Sequence, residues 1–410
     1  MKKRVVQLNK SVNKRFLMWS ILLIAMVQMP SLALMPGIHQ IHQVFSDRSL
    51  STIQTVMNLP NFISPFVTIT ASILIGKGLL TKKSVIVTGL LLVALTGVLS
   101  LFANTRFWHL VLLSCVLGLG LSGYISNASS LIIDNFAIEE RQKISGYQTS
   151  FINCGGILMS LCGGLLATIA WYGGYLMLLV ALPVAVVAIL AIPNMRMSRT
   201  KETDPEAKPE KMRLHTDILL YGVLIFVFMA VNNVVGANSS THLATQGLGN
   251  SSVSGYITAI RMLGGVICGL LFSRLSRKLG DFTTVLAFLV IFFDMTMLSV
   301  AKSIVTVIIG EIVGGMGMSL MLPQCLFSVS KVVNRQSSAV AASITSCIAP
   351  SFGGFFSPLI FTNLTTALYG ESTVLRYRFV SFVALACAVI VGIIFTIRKK
   401  RQAAKAPEQD

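Results

Sequence analysis

Twelve apolar stretches, each close to the length that crosses a lipid bilayer, divide this 410-residue sequence and leave little of it for anything else. The hydrocarbon core is about 30 Å thick, so a helix rising about 1.5 Å per residue needs roughly 20 apolar residues to cross it. The stretches cover residues 16–38, 52–75, 84–104, 107–131, 144–169, 173–193, 217–240, 252–273, 282–301, 304–328, 337–366 and 375–397. Lipid offers backbone N–H and C=O groups no partner, so each stretch is expected to be helical. Composition agrees, with 54% hydrophobic and 12% charged residues, against about 25% charged in soluble domains. The sequence predicts an all-α membrane protein of twelve transmembrane helices whose surroundings are the lipid bilayer.

Residues 194–215, NMRMSRTKETDPEAKPEKMRLH, are too polar to enter lipid and too few to form a domain, which makes them a linker. They separate an expected N-terminal six-helix bundle, residues 1–193, from a C-terminal one, residues 216–410. The two halves are related. Ser114–Ser126 reads SCVLGLGLSGYIS and Glu311–Pro323 reads EIVGGMGMSLMLP, aligning Gly118 with Gly315, Gly120 with Gly317 and Ser122 with Ser319. In that register Ser114 of the first copy stands where the second has Glu311. Arg141-Gln142 follows the fourth stretch as Arg335-Gln336 follows the tenth. Basic pairs, Lys82/Lys83 and Arg277/Lys278, close the turns after the second and eighth. Two pseudo-symmetric bundles able to rock about a shared site are a transporter design.

The net charge of +18 raises nucleic-acid binding, but its distribution excludes that reading. With both termini placed inside, every Lys and Arg lies on the cytoplasmic side except Arg48, Arg106, Arg261, Lys302, Arg376 and Arg378. That asymmetry is the positive-inside pattern of the cytoplasmic membrane. All seven cysteines fall inside apolar stretches without metal-ligand spacing, so neither a disulfide frame nor a metal is implied. The basic N-terminus followed by an apolar run is read as the first helix, since the run is too long for a signal peptide.

These features resemble the major facilitator superfamily. Its loop pattern, Gly-x-Leu-x-Asp-Arg-x-Gly-Arg-Lys, fits Gly269, Leu271, Arg274, Arg277 and Lys278 in register, with Ser273 and Ser276 replacing the Asp and second Gly. Trp171 stands where the family often has Trp. The resemblance implies a substrate site near mid-membrane lined by the first, fourth, seventh and tenth helices. It also implies alternating access without ATP; separately, no cofactor is expected and the protein is expected to be a monomer. The chain departs at Ser114, where many proton-linked members carry Arg, and at Met159 and Ser160, where many antiporters carry Gly-Pro. Both departures weaken the drug–proton antiport expectation.

Three ionisable residues sit deep in the apolar stretches: Arg261, Asp294 and Glu311. A centred charge costs about 2.5–3.5 kcal/mol on insertion scales, so each needs a partner, a wet cavity or a function. Glu311 lies about 10 Å and Arg261 about 13 Å below the outer boundary by helical rise. Glu311 is the candidate proton carrier. Arg261 either clamps a substrate carboxylate bidentately or pairs with Glu311. Asp294 is assigned a structural salt bridge or packing role, with no partner at helical spacing in IFFDMTM. Gln28, Asn127, Asn232, Asn233 and Gln324 are the polar candidates for substrate contact, competing with a role as helix-to-helix glue. Arg274, Arg277, Lys278, Lys82, Lys83 and Arg141 are expected to set topology and latch the inward end. His39, His42 and His242 are placed near the outer surface.

The expected function is secondary transport of a small organic solute, anionic or zwitterionic and proton-coupled, with protons as a second partner. Multidrug efflux is the alternative, left open by 18 Met and 23 Phe. A polytopic sensor or enzyme is disfavoured, because no segment could form a soluble domain and no cluster marks a catalytic site.

Overall fold

The computed structural model describes residues 13–193, 216–330, 341 and 343–405. The linker 194–215 and the Arg335-Gln336 pair lie outside them. The described chain is helical, with no strand among these residues. Its twelve membrane-length helices are α1 (Lys14–Val44), α2 (Leu50–Gly76), α3 (Lys82–Phe102), α4 (Phe107–Asn135), α5 (Ile138–Ile169), α6 (Gly173–Ala191), α7 (Thr216–Thr245), α8 (Ser251–Leu279), α9 (Thr283–Val300), α10 (Ile304–Ser330), α11 (Ile344–Tyr369) and α12 (Thr373–Lys405). α8 and α9 are joined by a turn at Gly280, whose φ of +56° is left-handed and disfavours a side chain. Many large apolar residues stay exposed, among them Leu270, Phe102 and Ile169. Helices hydrophobic on all sides suit a lipid surround.

These helices form two compact units. One holds residues 13–34 and 59–193; the other holds 35–58 together with the helices from residue 216 onward. The chain changes unit within α1 and α2, both of which are interrupted. In α1 the first helical segment ends at Met26 and Pro30 follows. Proline lacks an N–H, which strands carbonyls of the preceding turn. The fully buried Tyr124 hydroxyl donates to one of them, Val27 O, at 2.5 Å.

In the first unit, α4 packs on α2 and α3 through its glycines. A Cβ on Gly118 would stand 2.9 Å from Pro60 Cα of α2, and one on Gly120 would stand 2.8 Å from Gly89 O of α3. α5 presses Gly155 and Gly163 against the α1 backbone at Met26 and Ala33, leaving no room for side chains. In the second unit, α10 repeats the arrangement. A Cβ on Gly315 would collide with the Arg261 carbonyl of α8, and one on Gly317 would stand 3.0 Å from Ile291 Cδ1 of α9. The aligned glycines therefore face equivalent helices, α2 and α8 in one case, α3 and α9 in the other. Ser122 closes on its own helix at Gly118 O, whereas Ser319 reaches across to Gly265 O of α8 at 2.8 Å.

Residues 35–58 are fixed to the second unit by side-chain hydrogen bonds. Ser240 Oγ donates to Pro36 O at 2.6 Å, and Ser51 Oγ to Pro358 O at 3.1 Å. Gln54 Nε2 donates to Ala237 O at 2.8 Å and to Asn238 Oδ1 at 2.9 Å, while its Oε1 accepts from Thr362 Oγ1 at 2.7 Å. The α11 partner of these bonds is itself irregular, with wide turns over Ile344–Ile348 and Pro358–Thr362.

Backbone contact at glycine yields a differential expectation. Gly163→Ala forces α5 away from Ala33 and should cost at least the roughly 1–3 kcal/mol of overpacking. Gly392→Ala, in α12 with no atom within 4 Å of a new Cβ, should gain up to about 1 kcal/mol of helix propensity. Thermal unfolding midpoints in detergent, falling for the first and not for the second, check this.

Candidate functional site

The three deep ionisable residues come together in the second unit. Arg261 projects from α8, Asp294 from α9 and Glu311 from α10. Arg261 Nη1 donates to Asp294 Oδ2 at 2.6 Å and to Glu311 Oε2 at 2.6 Å. Its Nη2 donates to Asn232 Oδ1 of α7 at 2.8 Å. Side-chain exposure is 16% for Arg261, 0% for Asp294 and 2% for Glu311.

Local sequence makes room for this cluster. Glu311 is followed one turn later by Gly314-Gly315. A Cβ on Gly314 would collide with the Asp294 carboxyl and the Arg261 guanidinium, and one on Gly315 with the Arg261 carbonyl. The segment that supplies the acid thus also supplies the gap into which its partners fit. The repeat's glycine is scaffold at Gly315 and site wall at Gly314.

Charge in the cluster does not balance. One guanidinium faces two carboxyl groups through a single nitrogen, and Asn232 contributes only a neutral oxygen. Asp294 Oδ1 is buried without a hydrogen-bond partner. Taking charge out of a polar solvent costs several kcal/mol per ion, recovered only with good geometry and complete pairing. The arrangement is poised to exchange partners, because any cation that relieves one carboxyl loosens its hold on Arg261.

Of the two readings for Arg261, the ion pair with Glu311 is present in this conformation, and Asp294 belongs to it. Asp294 has its partner across the helix interface on α8, which spacing along α9 alone could not reveal. Asn232 joins the cluster; its neighbour Asn233 does not, donating to Gly354 O at 2.9 Å and Asn58 Oδ1 at 3.3 Å. Gln324 sits elsewhere on α10, accepting from Ser276 Oγ at 2.7 Å and donating to Ser328 Oγ at 3.1 Å. Gln28 and Asn127 belong to the other unit. Asn127 Nδ2 bonds its own helix at Gly123 O, and the Gln28 amide nitrogen is buried without a partner.

The basic positions divide similarly. Lys82 forms an ion pair with Asp134 at 2.5 Å, and Arg141 Nε donates to Phe136 O at 2.9 Å. Lys83 is half-buried, while Arg274, Arg277 and Lys278 are exposed.

His242, expected near the outer surface, and Arg376 are both buried. His242 is 1% exposed, with Nδ1 2.9 Å from Thr373 Oγ1 and its ring edge-on to Tyr377. Arg376 is 0% exposed and donates to Thr365 Oγ1, Asn238 Oδ1 and Thr366 Oγ1 at 2.7–2.9 Å. Both stand at the ends of long helices whose polar tips fold inward against α11 and α12. The run of Asn238-Ser239-Ser240-Thr241 before His242 is the available sequence sign, since so many polar residues on one helix need partners inside the protein.

The model of the Major Facilitator Superfamily matches residues 15–358. No curated protein sequence matches the chain. Among solved structures, the chain is similar to the nucleoside transporter NupG, with a TM-score of 0.73 at 12% identity over 93% of this chain and 98% of that one. It is similar to a D-xylose–proton symporter, with a TM-score of 0.71 at 14% identity over 92% and 97%. A third is a bacterial homologue of the human lysosomal transporter Spinster, inward-facing and occupied, with a TM-score of 0.69 at 13% identity over 94% and 97%. At these identities the likeness is one of fold.

Removing the shared cation should be worse than removing all three charges. Arg261→Met strands two buried carboxyl groups and is expected to lower stability by about 3–5 kcal/mol. The combined R261M/D294N/E311Q chain should recover most of that loss. Thermal unfolding in detergent compares the two; equal midpoints would show that the cluster does not act as one electrostatic unit.

Proposed function

The chain belongs to the major facilitator superfamily, and we propose that it carries a small anionic or zwitterionic organic solute across the cytoplasmic membrane, coupled to protons. It is a transporter rather than an enzyme, and a multi-pass membrane protein. In this reading it works as a monomer with both termini in the cytoplasm, alternating access between its two sides.

The observation that carries the proposal is the cluster of Arg261, Asp294, Glu311 and Asn232. Its logic is competition for one guanidinium. With both carboxyl groups ionised, both Nη1 hydrogens of Arg261 are taken by the two acids, and that nitrogen offers a substrate carboxylate no free donor. A proton on Glu311 removes one competitor and frees a donor edge of Arg261. A planar guanidinium holds a carboxylate through two parallel N–H···O bonds. The entering anion then replaces the charge that the proton removed, so proton and anion enter together and the cluster's charge is unchanged. Release of one favours release of the other, which is the linkage that coupled transport requires.

Asn232 complements this role by holding Nη2 while Nη1 changes partner. The Gly314-Gly315 wall keeps α8, α9 and α10 close enough that one guanidinium reaches both acids.

Uptake into proteoliposomes tests the proposal, using organic acids, zwitterions and cationic drugs with and without an inward proton gradient. Acidic or zwitterionic solutes should accumulate only with the gradient. Glu311→Gln should abolish accumulation while leaving gradient-independent exchange, and accumulation at the wild-type level would remove the proton assignment. Arg261→Lys should lower anion uptake by at least roughly tenfold, the value of one lost charge-assisted contact. Uptake confined to cationic drugs would replace the reading with efflux.

A further inference from the structure

At the end of the second unit where α7 begins and α8 and α12 finish, the helices enclose a cavity of about 500 Å³. Its rim carries Arg277, Lys278, Arg398 and Lys399; Asp217 and Asp281 also line it. The carboxylates are already committed. Asp217 pairs with Arg398 at 2.7 Å. Asp281 accepts from Ser328 Oγ at 2.6 Å and from Gln324 Nε2 at 3.4 Å, which ties it to α10.

Arg277, Lys278 and Lys399 are left over. Among the described residues no carboxylate stands within ion-pair distance of any of them. Arg277 uses only its Nε, bonded to Ser273 O at 3.3 Å. Three unpaired cations therefore converge on a recess whose net charge is positive even after both aspartates are counted. The floor of the recess is aromatic, with Phe395 packed between Tyr221 at 6.2 Å and Phe282 at 6.4 Å.

From these observations we infer that this recess binds the phosphodiester headgroup of an anionic phospholipid. The chemistry calls for an anion with several acceptor oxygens, because the free donors are two ammonium groups and a guanidinium edge. The surroundings select a lipid over a free anion. α8 exposes Leu270 and Leu271 about two turns or less before its cations, and α12 exposes Ile393 and Ile397 beside Lys399. Acyl chains lying along those faces leave their phosphate at the level of the basic rim. Basic pockets between membrane helices facing an anionic leaflet are suited to such headgroups. The site is built from the start of α7, the end of α8 with its turn into α9, and the last part of α12, and it does not draw on the Arg261 cluster, so it stands independently of the transport reading.

Native mass spectrometry of the full chain released from nanodiscs tests the inference, with dioleoylphosphatidylglycerol against dioleoylphosphatidylcholine as probes. The wild-type protein should retain phosphatidylglycerol in preference. The R277Q/K278Q/K399Q variant should lose that preference at least roughly tenfold, as expected when three near-surface cations are removed. A K77Q/K302Q variant, altering two exposed cations elsewhere, should retain it. Lys399→Gln alone should give a smaller loss in the same direction, a measurement that survives if the triple variant does not fold. Equal phosphatidylglycerol retention by wild type and the pocket variants would overturn the inference. So would displacement by inorganic phosphate at concentrations matching the lipid, which would make the ligand a free anion.

Discussion

Close backbone approach at glycine is the constraint on which this structure rests. Inside a bilayer, helices gain little from hydrophobic contact with one another, because lipid tails are as apolar as their side chains. What holds them is dispersion and hydrogen bonding at short range, and both need small residues at the interface. The α4 glycines bring α2 and α3 within backbone contact, and the α10 glycines do the same for α8 and α9. Without that proximity the buried charges could not meet. The Arg261 guanidinium reaches Asp294 and Glu311 only because Gly314 presents no side chain to it and Gly315 lets the α8 backbone at Arg261 close on α10.

The cluster also shows why its electrostatics cannot be separated from packing. A buried ion pair is weak evidence of stability by itself, since desolvation can outweigh attraction. Here the imbalance of two acids to one base makes the arrangement more informative than a matched pair would be. A matched pair has a single satisfied state. An odd group has at least two arrangements of similar cost, and a switch requires that property. Arg376 presents the contrasting case: a buried cation whose hydrogen bonds go to neutral side-chain oxygens on α7 and α11, which braces those helices against α12.

Much of the fold was legible in the chain because the bilayer reduces folding to two decisions, where a helix starts and which residues face its neighbours. Span length and the repeat around Gly118 and Gly315 answered both. The register between the copies was sound, since Gly118 and Gly315 contact equivalent helices. Sequence reading went astray for His242, which position along the chain assigned to the outer surface, and it gave no sign that Arg376 is buried. Helix ends can be polar either because they reach water or because they fold onto another polar end, and the two are identical in one dimension. The partner of Asp294, a residue assigned a salt bridge or packing role from the sequence, could not be named for a related reason. Its partner lies on a different helix, and helical spacing reports only neighbours on the same one.

The sequence by itself determined that this is a twelve-helix membrane transporter built from two related halves, because hydrophobic length and internal repetition are properties of the chain. It also determined that the halves differ chemically at Ser114 and Glu311. Only tertiary structure decided that Glu311 shares its guanidinium with Asp294 and Asn232, that residues 35–58 bond to the helices of the second unit, and that three cations near the ends of α8 and α12 line one recess. Each of those depends on distances between segments far apart in sequence. Such distances follow from how helix faces dock, which no local pattern encodes.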